Sequence, residues 1–122
     1  VTGQQFFWLF FGLSGRISRL PYLLGGLFLA VIQAFILYRL SLVEGDPSAT
    51  VFWGNLFWMV IVASLWSNFA LGVKRLHDIG KPTIFGIVFF IPVLTLIAFI
   101  ALCLIPGESG PNQYAGTTNA PR

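Results

Sequence analysis

The stretch PSATVFWGNLFWMVIVASLWSNFALGV, Pro47 to Val73, runs for 27 residues without a charged side chain. A helix rises ~1.5 Å per residue, so crossing a hydrocarbon core of ~30 Å takes roughly 20 apolar residues. Two further stretches, residues 20–38 and 82–107, also lack charge, over 19 and 26 positions. The 122-residue chain is 57% hydrophobic and only 9% charged, with a mean hydropathy of +0.85. A soluble domain carries about a quarter charged residues to keep its surface wet. The sequence therefore predicts an all-α membrane protein with three transmembrane helices, at about 20–39, 50–76 and 83–105. A short interfacial helix at about 4–13 precedes them. Residues 1–114 form one membrane domain and 115–122 a flexible tail.

Local signals support these bounds. Phe6–Phe11 is apolar but too short to span, and its Phe and Trp rings suit headgroup depth. Arg16 and Arg19 follow that run, whereas a secretory signal places its basic residues first. Ser18 is placed to cap the first span, with Pro21 in its opening turn. Glu44, Gly45, Asp46 and Pro47 supply turn chemistry before the second span. Gly80 suits a left-handed helix cap and Pro82 halts continuation. Pro92 should kink the third span. Gly26, Ala30 and Ala34 form a small-residue stripe on the first span. Ser64, Asn68 and Gly72 do the same on the second, and both stripes should face protein.

Composition also excludes functions. Single Cys and His residues, Cys103 and His77, cannot furnish a disulfide framework or a four-ligand zinc site. No phosphate-binding glycine loop is present. The net charge of +3 comes from cations dispersed among apolar spans, not from the soluble basic face that a nucleic-acid reader needs. No metal, cofactor or nucleic acid is expected.

Three spans place Arg16, Arg19, Lys74, Arg75 and Lys81 on one side and Arg39 and Arg122 on the other. The positive-inside rule then makes the N-terminus cytoplasmic and the C-terminal tail periplasmic. At the basic face, Arg75-Leu76-His77-Asp78 is the densest group of ionisable residues. Two roles suit Arg16, Arg19, Arg75, His77 and Asp78. They can set topology and lock helix ends together, or they can grip a lipid phosphate or an acidic partner with guanidinium forks. A Cys–His pair is not expected, because a straight third span would carry Cys103 ~30 Å from His77.

Gly15-Arg16-Ile17-Ser18-Arg19 with Tyr22, the Arg75-Leu76-His77-Asp78-x-Gly80 segment, Ile91-Pro92, and Gly110, Asn112 and Tyr114 occur in the order seen in a known family. The chain resembles the bacterial inner-membrane family known as domain of unknown function 805, over about residues 6–114. Ala115 stands where that family usually has Gly, and Lys81-Pro82-Thr83-Ile84-Phe85 departs from its usual aromatic pair. The resemblance implies a multi-pass inner-membrane protein and adds weight to Gly110, Asn112 and Tyr114. Three full spans, however, would set Asn112 and Tyr114 across the membrane from His77 as separate features, unless the third span is re-entrant.

The expected role is non-catalytic: an accessory or scaffold subunit acting by self-association or with a protein partner in the bilayer. The alternative is a lipid- or small-solute-binding protein that uses the basic cluster, with anionic lipid as ligand. An enzyme using His77 and Asp78 on a lipid headgroup is a third possibility.

Overall fold

The computed structural model describes residues 2–115 and 118–119. Its elements are α1 (Gly3–Phe11), α2 (Arg19–Leu42), α3 (Pro47–Ile79), a 3₁₀ segment (Thr83–Phe90) and α4 (Pro92–Leu104). A capping box starts α1: Thr2 accepts from the Gln5 backbone, and the Gln5 side chain accepts from Thr2. Ser18 occupies the N-cap of α2 without a side-chain cap bond. Asp46 caps α3, accepting from the Ala49 N–H, with Pro47 as the first helical residue. Gly80 ends α3 at φ +89°, the left-handed geometry that glycine adopts without a Cβ penalty.

Two helices, α2 and α3, are long and apolar enough to cross a membrane. Only 22% and 33% of their apolar windows are buried within the protein. Core helices of a soluble protein would be largely covered, so these surfaces suit lipid. The two run antiparallel. Leu71 of α3 packs against Gly25 of α2, and at the far end the Arg39 guanidinium lies 5.1 Å from the Trp53 ring centroid.

The single continuous helix expected at 83–105 does not form. It divides into the 3₁₀ segment and the 13-residue α4, and α4 is only ~20 Å long. Pro92 has no N–H to continue the helix and forces its predecessor out of helical geometry. Ile91 accordingly sits at φ −109°, ψ 113°. Thr95 Oγ1 donates to the carbonyls of Val88 and Ile91, supplying side-chain partners at the break.

The two pieces make a hairpin against the α2–α3 pair. Descending along α3, Gly86 meets Phe69 and Val73, while Phe89 fills the space left by Gly72. Phe90 then packs on Phe69 at 5.2 Å between centroids. The returning α4 sets Phe99 over Gly26 and 5.1 Å from Tyr22. From Ile79 to Phe69 is ~15 Å along α3, about half a bilayer core. The chain then returns toward the end of α3 that it left.

The predicted small-residue stripes divide accordingly. Gly26 and Gly72 receive aromatic rings from the hairpin. Ser64 is buried, Asn68 is half-buried, and Ala30 and Ala34 are exposed. Helix α1 lies beside α2 and α3 rather than apart from them. Phe10 packs against Phe28 with 5.5 Å between ring centroids, and Trp66 Nε1 donates to the Phe11 carbonyl.

Candidate functional site

Asp78 lies in the last turn of α3 and is 3% exposed. Its Oδ1 accepts from Arg16 Nε at 3.0 Å and its Oδ2 from Arg75 Nη1 at 2.6 Å. Arg16 and Arg75 are themselves buried. Removing an ionised side chain from water costs several kcal/mol unless charge and hydrogen bonds compensate. One carboxylate cannot satisfy two guanidinium groups, and backbone carbonyls supply the remainder.

The source of those carbonyls explains the architecture. Arg75 donates from Nε to Leu102 O at 2.9 Å, from Nη1 to Ile17 O, and from Nη2 to Ile105 O. Leu102 and Ile105 belong to the end of α4, where the last carbonyls lack intrahelical partners and the helix dipole is negative. The exposed Arg19 also donates there, to Leu104 O at 3.3 Å. Lys74 does for α1 what Arg75 does for α4. Its buried ammonium donates to the carbonyls of Trp8, Leu9 and Gly12 and lies 4.9 Å from the Trp8 ring centroid.

Arg16 engages the tail. Its Nη2 donates to Glu108 O at 2.7 Å and its Nη1 to Gly110 O at 2.7 Å. The Glu108 N–H returns a bond to Asp78 O at 2.7 Å. A Cβ added at Gly107 would collide with the Asp78 carboxylate, so only glycine allows the tail this close.

His77 completes the assembly. Its Nδ1 faces the Gly15 carbonyl at 3.0 Å and its Nε2 faces Thr83 Oγ1 at 2.9 Å. Because a carbonyl only accepts, these partners suit the Nδ1–H tautomer with Thr83 donating to Nε2. The Tyr114 ring stacks on the imidazole with 4.0 Å between centroids and 4° between planes. Asn112 Nδ2 donates to His77 O at 2.8 Å and to Glu108 Oε1 at 2.9 Å.

The placement of Asn112 and Tyr114 across the membrane from His77 is thereby corrected. Once α4 returns, its C-terminal end and the tail join the basic end of α3. For the same reason Cys103 is not held ~30 Å away; the carbonyl of its neighbour Leu102 binds Arg75. Within the tail expected to be flexible, residues 116, 117 and 120–122 lie outside the described part. Ala115 is buried, and Asn119 bonds Arg16 O through its N–H and Ser18 N through its side chain.

Of the predicted site residues, Arg16, Arg75, His77 and Asp78 come together, and Arg19 stands at the exposed edge. Lys74, Thr83, Glu108, Asn112 and Tyr114 join them. Lys74 had a visible signal, a cation one position before Arg75. The Glu108 contact had none, because it depends on the hairpin, and the Thr83 contact depends on how the chain leaves the Gly80–Pro82 turn beside His77. Among the described residues, no three His, Cys, Asp or Glu side chains group as a metal site requires. Chemically, the arrangement couples one carboxylate, three buried cations and two helix C-termini into a clasp. It ties together the segment before α2, the end of α3, the end of α4 and the tail.

Residues 10–116 match the family described as "Protein of unknown function (DUF805)". Two curated relatives are called "Inner membrane protein YhaI", from Escherichia coli K12 and from Escherichia coli O157:H7. Each is 27% identical over 104 residues, covering 84% of this chain and 82% of the relative. No solved structure matches. The matched span takes in both Asp78-bound arginines, the His77–Asp78 pair and the tail that stacks on them, and the chain belongs to the DUF805 family of membrane proteins.

Proposed function

We propose that this protein is a non-catalytic inner-membrane component that acts by association with another transmembrane segment. The observation that carries this is a groove of about 240 Å³ between α2, α3 and α4. Gln33, Asn68 and Thr95 face it from three different elements, among Gly26, Ala30 and Phe99. Gln33 and Gly26 lie ~10–20 Å along α2 from Arg19, so the groove opens at bilayer depth. Amides facing hydrocarbon are costly, and a neighbouring helix with a hydrogen-bonding side chain relieves that cost. The basic end, by contrast, has its buried cations engaged by the protein's own acceptors, which favours a structural role for that cluster.

Orientation belongs to the same proposal. With the hairpin returning, Arg16, Arg19, Lys74, Arg75, Lys81 and the tail share one end, while Arg39, Glu44 and Asp46 mark the other. The positive-inside rule makes the first end cytoplasmic, so the segment before α2 and the tail both face the cytoplasm.

The association is tested by extracting the protein in native lipid discs with a mild crosslinker, beside a Gln33→Leu/Asn68→Leu variant. Transmembrane polar contacts average ~0.6 kcal/mol each, so the variant should lose its crosslinked partner by roughly three- to tenfold. A wild-type protein that stays monomeric and partner-free would count against the proposal.

A further inference from the structure

We infer that the slot between the 3₁₀ segment and α4 holds one acyl chain of an anionic phospholipid, with Lys81 on its phosphate. The slot is about 410 Å³ and is walled by Leu76, Phe85, Val88, Phe89, Ala98 and Leu102, with Lys81 beside them. That volume falls in the usual range for small-molecule sites, about 300–1,000 Å³. Its lining is otherwise apolar. The exposed Ile84, Ile87 and Leu104 belong to the same two elements.

Charge complementarity selects the occupant. The two ion pairs among the described residues both fall on Asp78. Lys74 is occupied by α1 carbonyls, and Arg19 by that of Leu104. Lys81 is an exposed cation outside both ion pairs. The nearest acid in the tail, Glu108, lies against Gly80 and accepts from Asn112. An ammonium on a flexible stem, next to an apolar slot at the basic end, suits a lipid phosphate whose tail enters the slot. Bilayer depth and charge meet at this slot, whereas Arg16 and Arg75 face inward onto Asp78 and backbone carbonyls. This site is separate from the Gln33–Asn68 groove, and either assignment can fail without the other.

The test is native mass spectrometry of the full chain from nanodiscs of dioleoylphosphatidylglycerol or dioleoylphosphatidylcholine. Wild-type protein should retain one phosphatidylglycerol and several-fold less phosphatidylcholine. Lys81→Ala, at an exposed position, should lower phosphatidylglycerol occupancy about fivefold and leave phosphatidylcholine unchanged. Ala98→Phe, which fills the slot, should remove the retained lipid of either kind. Equal retention of both lipids, or phosphatidylglycerol occupancy unchanged in Lys81→Ala, overturns the assignment. Replacement of the retained phosphatidylglycerol by an equimolar amount of palmitate would also overturn it, showing a fatty-acid site instead.

Discussion

The ring of Tyr114 lies flat on the imidazole of His77, 4.0 Å away between centroids. One ring ends the longest helix and the other belongs to the tail. Their contact fixes the path of everything between: an apolar segment that enters beside α3, turns at Ile91-Pro92 and returns beside α2.

That path makes a topological prediction. Single cysteines at Ser14 and Gln113, in a Cys103→Ser background, should react with a membrane-impermeant maleimide from the same side. A cysteine at Glu44 should react from the opposite side. Labelling of Gln113→Cys together with Glu44→Cys would restore three full spans.

Asp78 is the one acid in the buried clasp. Asp78→Ala leaves two buried guanidinium groups uncompensated and should cost about 3–5 kcal/mol, read as a large fall in the thermal midpoint in detergent. Arg16→Met in the Asp78→Ala background should cost less than the sum of the single changes, since the two share one bond network. Full additivity would show that the pair does not act as a unit.

Close approach of the hairpin depends on Gly72. Gly72→Ala puts a methyl group into the Phe89 ring, and overpacking of this kind costs about 1–3 kcal/mol. Phe89→Leu in the same chain should recover most of the loss. Stability measurements on the four-member cycle decide it, and failure of the rescue would mean Phe89 packs elsewhere.

Tyr114→Phe should keep the tail docked, whereas Tyr114→Ala should loosen it by about 1 kcal/mol, the scale of an aromatic pair. Limited proteolysis near residues 105–115 reports the difference. Equal cleavage of both variants would show that the stack does not hold the tail.

Much of this was legible along the chain. The uncharged stretches located α2 and α3 to within a few residues, Gly80 marked the end of α3, and Arg16, Arg75, His77 and Asp78 were identifiable as one cluster. Pro92 was read as a kink within a span, because a single proline in an apolar run does not distinguish a bend from a reversal. The distinction lies in partners distant in sequence: Gly72 and Gly86 admitting close packing along α3, and Gly26 accepting Phe99. The same reversal hid Glu108, Asn112 and Tyr114 from the site.

The sequence by itself determined the solvent. Long runs without charge suit hydrocarbon because of transfer energies that need no knowledge of the fold, and the clustering of cations follows from their order along the chain. Only the tertiary structure decided how that cluster is used. Backbone carbonyls at the ends of α1 and α4 have no address in the sequence until the helices are in place. Once they are, Lys74 and Arg75 turn inward to those carbonyls, and the third apolar segment returns to the end of α3 that it left.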